Sequence, residues 1–449
     1  MLLTMSVMHS LHTTQVDWKN AFAQAHLERP YYMEFPPGLK DLPQLQGKIM
    51  KLKRSLYGNK FMAKLFYQVV EEALTTPKEK GGPGFRVSEY DHCLFIRDDC
   101  IVINWVDDAI FISKDPKVAE DVVHLLKRNG YDLDIESVEG GLKDYLGIDY
   151  QKMPDGKSLM CTQTGLIDRI VEAANLTDAN PAHTPMTGPL GKYKDSLSFK
   201  GNFNYRSVIG MLIYLYNTTR PDIGFAVTSC ARFSHDPKEE HGTALKRIIC
   251  YLKKTKHMGV VIRPSSSNVI NAFSDADFAG LYGTEDPTDP TSCRSRSGFL
   301  VTLGGNPLVW SSKLQSLVAA HTMEAEYIAL SEMMKHVLFL RGIHQEITNQ
   351  CTSLNLPPIG KTEITTVFQD NQAARILAST DPPRMTPRSK AIAVRYHWFR
   401  QYLHPERIVI AQIPTKDNPS NILTKALDRT QFESERRMIL NWPDDYELE

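Results

Sequence analysis

The sequence predicts an α+β protein with about three domains, and three observations carry that prediction. Its 449 residues are too many for a single core. Short β-branched runs such as "CIVINWV" and "AIFIS" alternate with helical repeats such as "FMAKLFYQVVEEAL". A segment rich in Pro, Gly and Thr, "DANPAHTPMTGPLGKYKDS", then breaks all periodicity. The predicted divisions are 1–165 (mixed), 166–262 (mainly helical), 268–437 (strands and helices) and 438–449 (an acidic tail).

Composition excludes several classes of protein. Apolar residues make up 42% of the chain. Its formal net charge is zero, so the overall charge does not indicate a nucleic-acid-binding protein. No run approaches the roughly 18 apolar residues of a membrane helix. The N-terminus lacks a signal-peptide pattern, which predicts a soluble cytoplasmic or nuclear protein that is not secreted. The seven cysteines are scattered without a CxxC pair, and reduced thiols are favoured over a zinc module.

In the first block, "CIVINWVDDAIFIS" places Asp107 and Asp108 between two β runs. Adjacent carboxylates repel each other, and a bound divalent cation such as Mg²⁺ would reverse that balance. A third carboxylate, Asp17, ends a β run in "TTQVDWKNAF" and could complete a metal site for phosphoryl transfer. The similar "IRDDCIV" (Asp98, Asp99) is interpreted as an exposed hairpin turn, although periodicity alone cannot separate the two pairs.

In the third block, three acids lie on successive predicted elements. Asp275 falls within a β run, Glu324 in the first turn of a helix, and Asp370 where a strand gives way to a helix. Taken singly, Glu324 is a favourable helix-start residue and Asp370 a possible N-cap. Joined in the order strand, hairpin, helix and strand–helix, they match a nuclease plan in which acids from separate elements collect around metal ions.

The segments "QVDWKNAFAQAHLERPYYMEFPPGL", "LKRSLYGNKFMAKLFYQ", "INWVDDAIFI" and "LKDYLGIDY" resemble, in order and spacing, the polymerase region of copia-type LTR retrotransposons. The resemblance implies a reverse-transcriptase palm in which Asp17 and Asp107 bridge two metal ions and Asp108 is more peripheral. It also implies a nucleotide pocket around Tyr57 and Gly58. Trp105 stands where the family usually has tyrosine, near the expected primer terminus.

The segments "SRSGFLVTLGGNPLVWSSKLQ", "AEYIALSE", "DNQAA" and "IPTKDNPSNILTKAL" resemble the RNase H domain of the same elements. This resemblance implies that Asp275, Glu324 and Asp370 are the first three catalytic carboxylates. The fourth, normally an aspartate in the last helix, reads Asn421, and an amide binds Mg²⁺ weakly. Asp417 lies one helical turn earlier and would share a helical face with Asn421, so it could partly substitute, although the backbone offset disfavours this. His397 is kept, and Ala391 stands where histidine is usual.

The whole resemblance implies a palm, a helical thumb or connection and an RNase H-like α/β domain, with Mg²⁺ or Mn²⁺ as cofactor. The implied partners are an RNA template, a DNA primer and the RNA·DNA hybrid. Phosphate contacts would come from two basic runs. Their members are Lys48, Lys51, Lys53, Arg54, Lys246, Arg247, Lys253, Lys254 and Lys256. Taken singly, such cations are more often solvated surface residues.

About sixteen residues precede Asp17, whereas the family carries finger strands there that hold the template and triphosphate. Because phosphoryl transfer depends on positioning and on charge neutralisation, the sequence leads us to expect that this chain alone does not polymerise. The competing interpretation is a non-catalytic remnant that binds nucleic acid or a partner protein.

Overall fold

The computed structural model describes residues 1–136, 142–283, 289–358, 364–380, 392 and 394–443. Contacts divide the chain into two compact units. The smaller unit comprises His9–Leu146 and Ile343–Pro357, and the larger unit comprises Met1–Met8, Gly147–Gly342 and Pro358–Glu449. The domain limits from the sequence are a different partition and stay predictions. Among the helices of the described ranges, none has the length and apolar character needed to span a bilayer.

Helix α1 (Leu2–Met8) opens the chain and belongs to the larger unit. The smaller unit follows with these elements: β1 (His12–Trp18), α2 (Ala21–Gln24), β2 (His26–Met33), β3 (Met50–Arg54), α3 (Met62–Thr75), β4 (Arg86–Val87), β5 (Leu94–Arg97), β6 (Cys100–Trp105), β7 (Asp108–Ser113), α4 (Pro116–Arg128), β8 (Leu133–Ile135) and β9 (Asp144–Tyr145).

The described residues of the smaller unit form a six-stranded sheet in the order β4-β5-β6-β7-β1-β8. Its core packs apolar side chains of α3 and α4 against the central strands, including Trp18, Phe66 and Phe111. Strands β2 and β3 pair separately as a two-stranded ribbon. This sheet places the end of β1 beside the start of β7, where the first acidic group lies.

The Asp98–Asp99 pair forms the turn between β5 and β6, as the sequence predicts, because Arg97 pairs with Cys100 across it. Asp99 is held by an ion pair with Arg97 (2.6 Å). Asp98 accepts hydrogen bonds from the Thr352 hydroxyl and from both the backbone N–H and the hydroxyl of Ser353. These bonds lower the pKa of Asp98 to about 2. This pair of acids is therefore structural.

The larger unit contains β10 (Ile148–Lys152), β11 (Leu159–Thr162), α5 (Thr164–Ala173), α6 (Tyr205–Thr218), α7 (Gly224–Ala231), α8 (Glu239–Lys254), β12 (Val260–Ile262), β13 (Ile270–Asp277), β14 (Arg296–Leu303), β15 (Asn306–Leu314), α9 (Thr322–Gln350), β16 (Thr365–Gln369), α10 (Gln372–Ser379), α11 (Arg400–Leu403), β17 (Ile408–Gln412) and α12 (Arg429–Leu440). Residues of α9 from Ile343 onward belong to the smaller unit.

Strands β13 to β17 form a five-stranded sheet in the order β15-β14-β13-β16-β17. The first three strands are antiparallel, and β16 and β17 lie parallel to β13. The chain runs from the β14–β15 hairpin through α9 to β16, so the central strand β13 lies next to a strand that arrives much later. This is the RNase H-like α/β fold that the sequence predicts. It places the middle of β13 and the end of β16 side by side.

A buried charge network braces the C-terminal segment of the larger unit. Arg220 is fully buried and forms a bidentate ion pair with Asp222 (2.9 and 2.8 Å). Asp222 also accepts a hydrogen bond from the Tyr251 hydroxyl (2.5 Å), which in turn accepts one from Arg436 of α12 (3.4 Å). Buried charges are tolerated only when paired and hydrogen-bonded in this way. The network therefore anchors α12 to the helical core.

Candidate active sites

The β6–β7 hairpin tip presents Asp107 and Asp108. Because Trp105 pairs with Asp108, Val106 and Asp107 form a two-residue turn. Val106 has φ 57°, a left-handed conformation that β-branched residues rarely adopt. Buried Asn104 braces the turn, donating to the Val106 carbonyl (2.9 Å).

Asp17 lies directly opposite this tip. Strands β1 and β7 are antiparallel with Asp17 in register with Asp108, and the Trp18 backbone N–H donates to the Asp107 carbonyl (2.8 Å). Register partners in an antiparallel pair have Cα atoms about 4.5–5.5 Å apart. The structure therefore brings together the three aspartates that the sequence singles out.

The charges around Asp108 are mostly negative. Burial raises the pKa of Asp108, and the carboxylates of Asp107, Glu136, Asp17 and Asp144 raise it further. Sequence reasoning missed Glu136 and Asp144, which come from distant segments and have no distinguishing local pattern. One cation enters the group, since the Lys19 ammonium lies 2.5 Å from a carboxylate oxygen of Asp17.

This first group is strongly acidic, but its geometry is loose. Among the described residues, Asp17, Asp107 and Asp108 are not a set whose ligand atoms all lie within 4.8 Å of one another. Their assignment as metal ligands stays a prediction.

The predicted nucleotide-pocket residues lie at the surface of the smaller unit. Tyr57 is 59% exposed, and its ring packs edge-on against Phe22 (centroids 4.7 Å apart) in the helix after Asp17. Gly58 has φ 96°, a conformation that glycine tolerates without strain. Trp105 is 58% exposed at the hairpin tip, so it is no core anchor. These exposed rings could stack on bases, and that role stays a prediction.

A tighter acidic cluster lies on the central strand of the larger unit. Asp275 of β13, Glu326 of α9 and Asp370 at the end of β16 offer ligand oxygens that all lie within 4.8 Å of one another. Asp275 and Glu326 are almost completely buried, and Asp370 is partly exposed. The N-cap of α10 is Asn371, whose side chain accepts from the Ala374 backbone N–H (3.0 Å). Asp370 is therefore not an N-cap and its carboxylate faces the cluster.

The glutamate predicted for this cluster needs correction, because the structure brings in Glu326 and not Glu324. The Glu324 carboxylate accepts a hydrogen bond from the Ala320 backbone N–H (2.7 Å) before the helix, so the helix-start role applies to it. Residues two apart on an α-helix point about 200° away from each other. Only one glutamate of "MEAEYIAL" can face the sheet, and the buried run from Ala325 to Ser331 shows that it is Glu326.

The cluster carries the electrostatic signs of a cation site. Burial and the nearby Asp275 and Asp370 raise the pKa of Glu326 well above its usual range. Burial also raises the pKa of Asp275, against the opposing effect of Lys425 and Thr424. The Glu326 Oε2 atom is buried and has no hydrogen-bond partner within the described part of the chain. A set of hard oxygen ligands with one unsatisfied buried oxygen fits Mg²⁺ or Mn²⁺.

Comparison with known proteins is consistent with this geometry. Residues 1–188 match the family model described as reverse transcriptase (RNA-dependent DNA polymerase). The Pol polyprotein of the tobacco transposon TNT 1-94 is 30% identical over 98% of this chain and 31% of its own length. That of the Arabidopsis thaliana transposon RE1 is 31% identical over 96% of this chain and 28% of its own. The chain belongs to the copia-type retrotransposon Pol family.

Two further matches differ in how much of each protein they cover. A putative transposon Ty5-1 protein of Saccharomyces cerevisiae is 26% identical over 72% of this chain and all of its own length. A ribonuclease H1 isolated from compost matches 35% of this chain and 93% of its own at 17% identity, with a TM-score of 0.24. The copia-type chain spans about a third of the length of the tobacco and Arabidopsis polyproteins.

The fourth family position, Asn421, is connected to the buried cluster through Thr424, whose hydroxyl contacts both Asp275 and the Asn421 carbonyl. Asn421 lies in a different element from the one predicted. The segment forms two short 3₁₀ turns, Thr415–Asp417 and Asn421–Leu423, and α12 begins later. The last-helix prediction for Asn421 is therefore wrong, and so is the idea that Asp417 shares a helical face with it. Asp417 is exposed and is not part of the cluster. Pro419, between the turns, cannot donate a helical hydrogen bond.

Asn421 is fully buried, and its side-chain amide contacts the carboxyl group of Glu435 in α12 (Nδ2 to Oε1, 3.3 Å). Burial raises the pKa of Glu435 to about 7, although hydrogen bonds from Gln431 and Asn421 lower it. Glu435 Oε2 and Asn421 Oδ1 are buried without hydrogen-bond partners in the ranges that the structure describes. The copia-type position that normally holds one carboxylate therefore holds an amide with a neighbouring buried acid.

The structure describes His397 but not Ala391, the other position compared with the family's histidines. His397 lies next to the cluster's helix, with its Nδ1 atom 2.9 Å from the Tyr327 hydroxyl. Ala391 lies outside the described residues. Among the other tryptophans, Trp18 is buried, and Trp310 and Trp398 are half-buried.

The two basic runs of this copia-type chain also differ. Lys51, Lys53 and Arg54 are exposed on β3, where a phosphate backbone could reach them. On α8, Lys253 donates to the Thr177 and Ala179 carbonyls, and Lys254 contacts His183. Lys253 and Lys254 of α8 are therefore engaged with a loop of their own unit, whereas the cations of β3 are exposed.

Proposed function

We propose that the larger unit cleaves the RNA strand of an RNA·DNA hybrid in the presence of Mg²⁺ or Mn²⁺. The observation that carries this proposal is the convergence of Asp275, Glu326 and Asp370 on one partly buried point of an RNase H-like sheet. Family membership supports the substrate class. The resemblance implies phosphoryl transfer with two metal ions in the parent family.

In this proposal the three carboxylates hold the ion, and their elements fix its position. Asp275 comes from the central strand, Glu326 from the packed helix α9 and Asp370 from the end of β16, so each side chain is oriented by regular structure. When bound, a divalent ion supplies positive charge against the scissile phosphate and makes the attacking water more acidic. The water oxygen–phosphorus bond forms as the bond from phosphorus to the leaving 3′ oxygen breaks.

The direct test is cleavage of a 5′-labelled RNA strand annealed to DNA by the full chain. We expect RNA products with Mg²⁺, none with excess EDTA, and none from the Asp275→Asn variant. Intact RNA under all metal conditions would overturn the proposal. A single-stranded RNA of the same sequence is the control, because cleavage of both substrates would indicate a contaminating ribonuclease.

We further propose that the smaller unit carries the polymerase function, with RNA-directed DNA synthesis at Asp17, Asp107 and Asp108 and impaired activity. The register of Asp17 with Asp108 supports the placement of the function. The exposed Trp105, where the family has tyrosine, supports the impairment, because a larger ring stands beside the aspartates. Primer extension on an RNA template with Mg²⁺ or Mn²⁺ is expected to yield little product. Efficient extension would contradict the proposed impairment.

A second candidate function is nucleic-acid binding without catalysis. The supporting observation is the exposed basic strand β3 together with the exposed rings of Tyr57 and Trp105. Such a surface binds single strands or hybrids with strong salt dependence and little sequence preference. Fluorescence anisotropy with a labelled hybrid would show this binding. Binding in a chain that neither cleaves nor extends would favour this candidate.

A further inference from the structure

The buried cluster of the larger unit lacks the fourth carboxylate of the family, and the side chain at that position, Asn421, is already hydrogen-bonded elsewhere. The Asn421 amide donates to the Thr415 carbonyl (2.7 Å), the Asn418 carbonyl (2.8 Å) and Glu435 (3.3 Å). These partners belong to the local 3₁₀ turns and to α12. The amide is therefore committed to its own segment and contributes no charge to the cluster.

The same segment supplies a cation in its place. The Lys425 ammonium lies 3.8 Å from the Oδ2 atom of Asp275. The Thr424 hydroxyl donates to that same oxygen and is also 3.0 Å from the Asn421 carbonyl. One carboxylate oxygen of Asp275 is thus satisfied by a hydroxyl and an ammonium group on the Asn421 side. The other two carboxylates of the cluster are those of Asp370 and Glu326, and the Oε2 atom of Glu326 has no hydrogen-bond partner within the described residues.

The charges then favour one divalent ion. Among the described residues, the three carboxylates with clustered ligand oxygens and the ammonium beside them sum to −2 when all are ionised, which a single divalent ion neutralises. A second divalent ion beside Asp275 would face Lys425 at short range. The other carboxyl groups near Lys425, those of Asp277 and Glu435, are not members of the ligand cluster. We infer that this site binds a single divalent ion, held by Asp275, Glu326 and Asp370, with the Lys425 ammonium as the second positive charge. The inference rests on the proposed nuclease function of the same site.

The number of ions can be counted with Mn²⁺ by equilibrium dialysis and electron paramagnetic resonance on the full chain. Any Mn²⁺ that binds to carboxylates elsewhere in the chain must be subtracted, so the count is the difference between the wild-type chain and Glu326→Gln. We expect a difference of one ion, and none between the wild type and the matched control Glu324→Gln. Asp370→Asn provides a second loss variant if Glu326→Gln unfolds, which circular dichroism would show.

A difference of two ions would overturn the single-ion inference and leave the proposed nuclease function standing. No difference would overturn the proposed function itself, because the cluster would then hold no ion. The two failures are therefore distinguishable by the count alone, without reference to activity.

A variant that is expected to gain a second bound ion tests the role of Asn421. Asn421→Asp alone would place a second carboxyl group about where the amide now contacts Glu435, so the two acids would share a proton. The double variant Asn421→Asp/Glu435→Gln removes that conflict. We expect it to bind one additional Mn²⁺, with the spin-coupled spectrum of ions about 4 Å apart. An unchanged count in a folded double variant would contradict the inference that Asn421 limits the site to one ion.

The role of Lys425 is tested by Lys425→Met, which keeps the aliphatic length and removes the charge. We expect several-fold tighter binding of Mn²⁺ to the cluster, because the competing ammonium is gone. Lys416→Met, in the exposed 3₁₀ turn nearby, should leave the affinity unchanged. Weaker binding in Lys425→Met would overturn the assignment of Lys425 as a competing cation.

Discussion

The two acidic groups of this chain are assembled in different ways. In the smaller unit, Asp17, Asp107 and Asp108 meet because two neighbouring antiparallel strands place them in register. In the larger unit, Asp275, Glu326 and Asp370 arrive from a strand, a helix and a later parallel strand. The first group is half-exposed with Lys19 paired to one acid, and the second is mostly buried.

The difference teaches how each site tolerates its own charge. Partly solvated carboxylates lose little hydration, so the first group is stable with loose geometry and one lysine. Buried carboxylates carry a desolvation cost that must be offset by hydrogen bonds, cations or protons. The second group has Lys425 and Thr424 for one acid, and Glu326 is left with a raised pKa. Tight geometry is thus obtained together with electrostatic repulsion among the carboxylates, which the proposed metal ion would relieve.

The largest expected effect concerns the two glutamates of α9. Glu326→Gln should reduce hybrid cleavage by more than about 100-fold, which exceeds the usual effect of losing a group that only supports a ligand. Glu324→Gln should stay within about twofold of the wild type, because Glu324 lies outside the cluster and is only partly buried at the helix start. The measurement is the initial cleavage rate with saturating Mg²⁺. Equal losses of cleavage activity in both variants would mean that the wrong face of α9 has been assigned to the site.

A related expectation is that cleavage rises with pH. The raised pKa values of Asp275 and Glu326 mean that protons compete with the metal ion at low pH. Higher Mg²⁺ should therefore shift the rise in rate to lower pH. A pH profile that does not move with Mg²⁺ concentration would argue against this competition.

The contrast between the two groups also explains what the sequence could and could not predict. β-Strands have a strict two-residue period, so the flanking runs of Asp17, Asp107 and Asp108 define both the strands and the hairpin tip. Their convergence then follows from pairing β1 with β7. The choice between Glu324 and Glu326 depends on the phase of a helix whose burial becomes visible only once it packs on the sheet. Both residues are good helix formers, so propensity does not separate them.

The local structure around Asn421 is even less predictable from the sequence. Its apolar residues Ile422 and Leu423 fit a helical continuation into "TKAL", and both are buried as a helix would require. Pro419 instead removes a helical hydrogen-bond donor, while the Asn418 side chain donates to the Ser274 carbonyl of β13 and accepts from the Ser420 hydroxyl. The nearby carboxyl of Glu435, fourteen residues later, has no counterpart in the local sequence pattern. Tertiary contacts of this kind lie beyond what periodicity can show.

The next largest effect tests the desolvation cost of the buried Glu435 carboxyl group in the larger unit. The pKa of Glu435 is raised from 4.5 to about 7, so its contribution favours folding below pH 4.5 and is lost as the pH rises through 7. Glu435→Gln should therefore match the wild type near pH 4.5. At pH 8.5 it should be more stable by up to about 3 kcal/mol, since each pKa unit is worth about 1.4 kcal/mol.

Urea unfolding at both pH values measures this difference in the free energy of unfolding. Glu433→Gln, on the same helix and ion-paired with Arg429, is the matched control and should show no such pH dependence. A Glu435→Gln variant that is less stable than the wild type at pH 8.5 would mean that the carboxylate is compensated by contacts that the amide cannot make.

A smaller effect is expected at the hairpin of the smaller unit. Val106 has a positive φ, and such strain costs about 1–3 kcal/mol for a β-branched residue. Val106→Gly should relieve it while adding freedom to the unfolded chain, which leaves a net gain of about 1 kcal/mol. Val106→Ala, which keeps a Cβ, should gain less. If the glycine variant is destabilised, the Val106 side chain makes contacts at the tip that outweigh the strain.

The smallest effects compare the two aspartate pairs on successive hairpins, and we expect them to have opposite signs. Asp98→Asn should lower the unfolding midpoint at pH 7, because Asp98 accepts three hydrogen bonds that favour its ionised form. Asp108→Asn should raise the midpoint, because burial and neighbouring carboxylates raise the pKa of Asp108 and disfavour its charge.

Below about pH 3 both carboxyl groups are mostly protonated in the unfolded chain, whose ordinary aspartate pKa is about 3.9, and the gain from Asp108→Asn should disappear. Thermal melts at pH 7 and pH 3 measure both shifts. Shifts of the same sign at pH 7 would mean that the hairpin acids share one role, and the contrast between a structural turn and a functional tip would no longer hold.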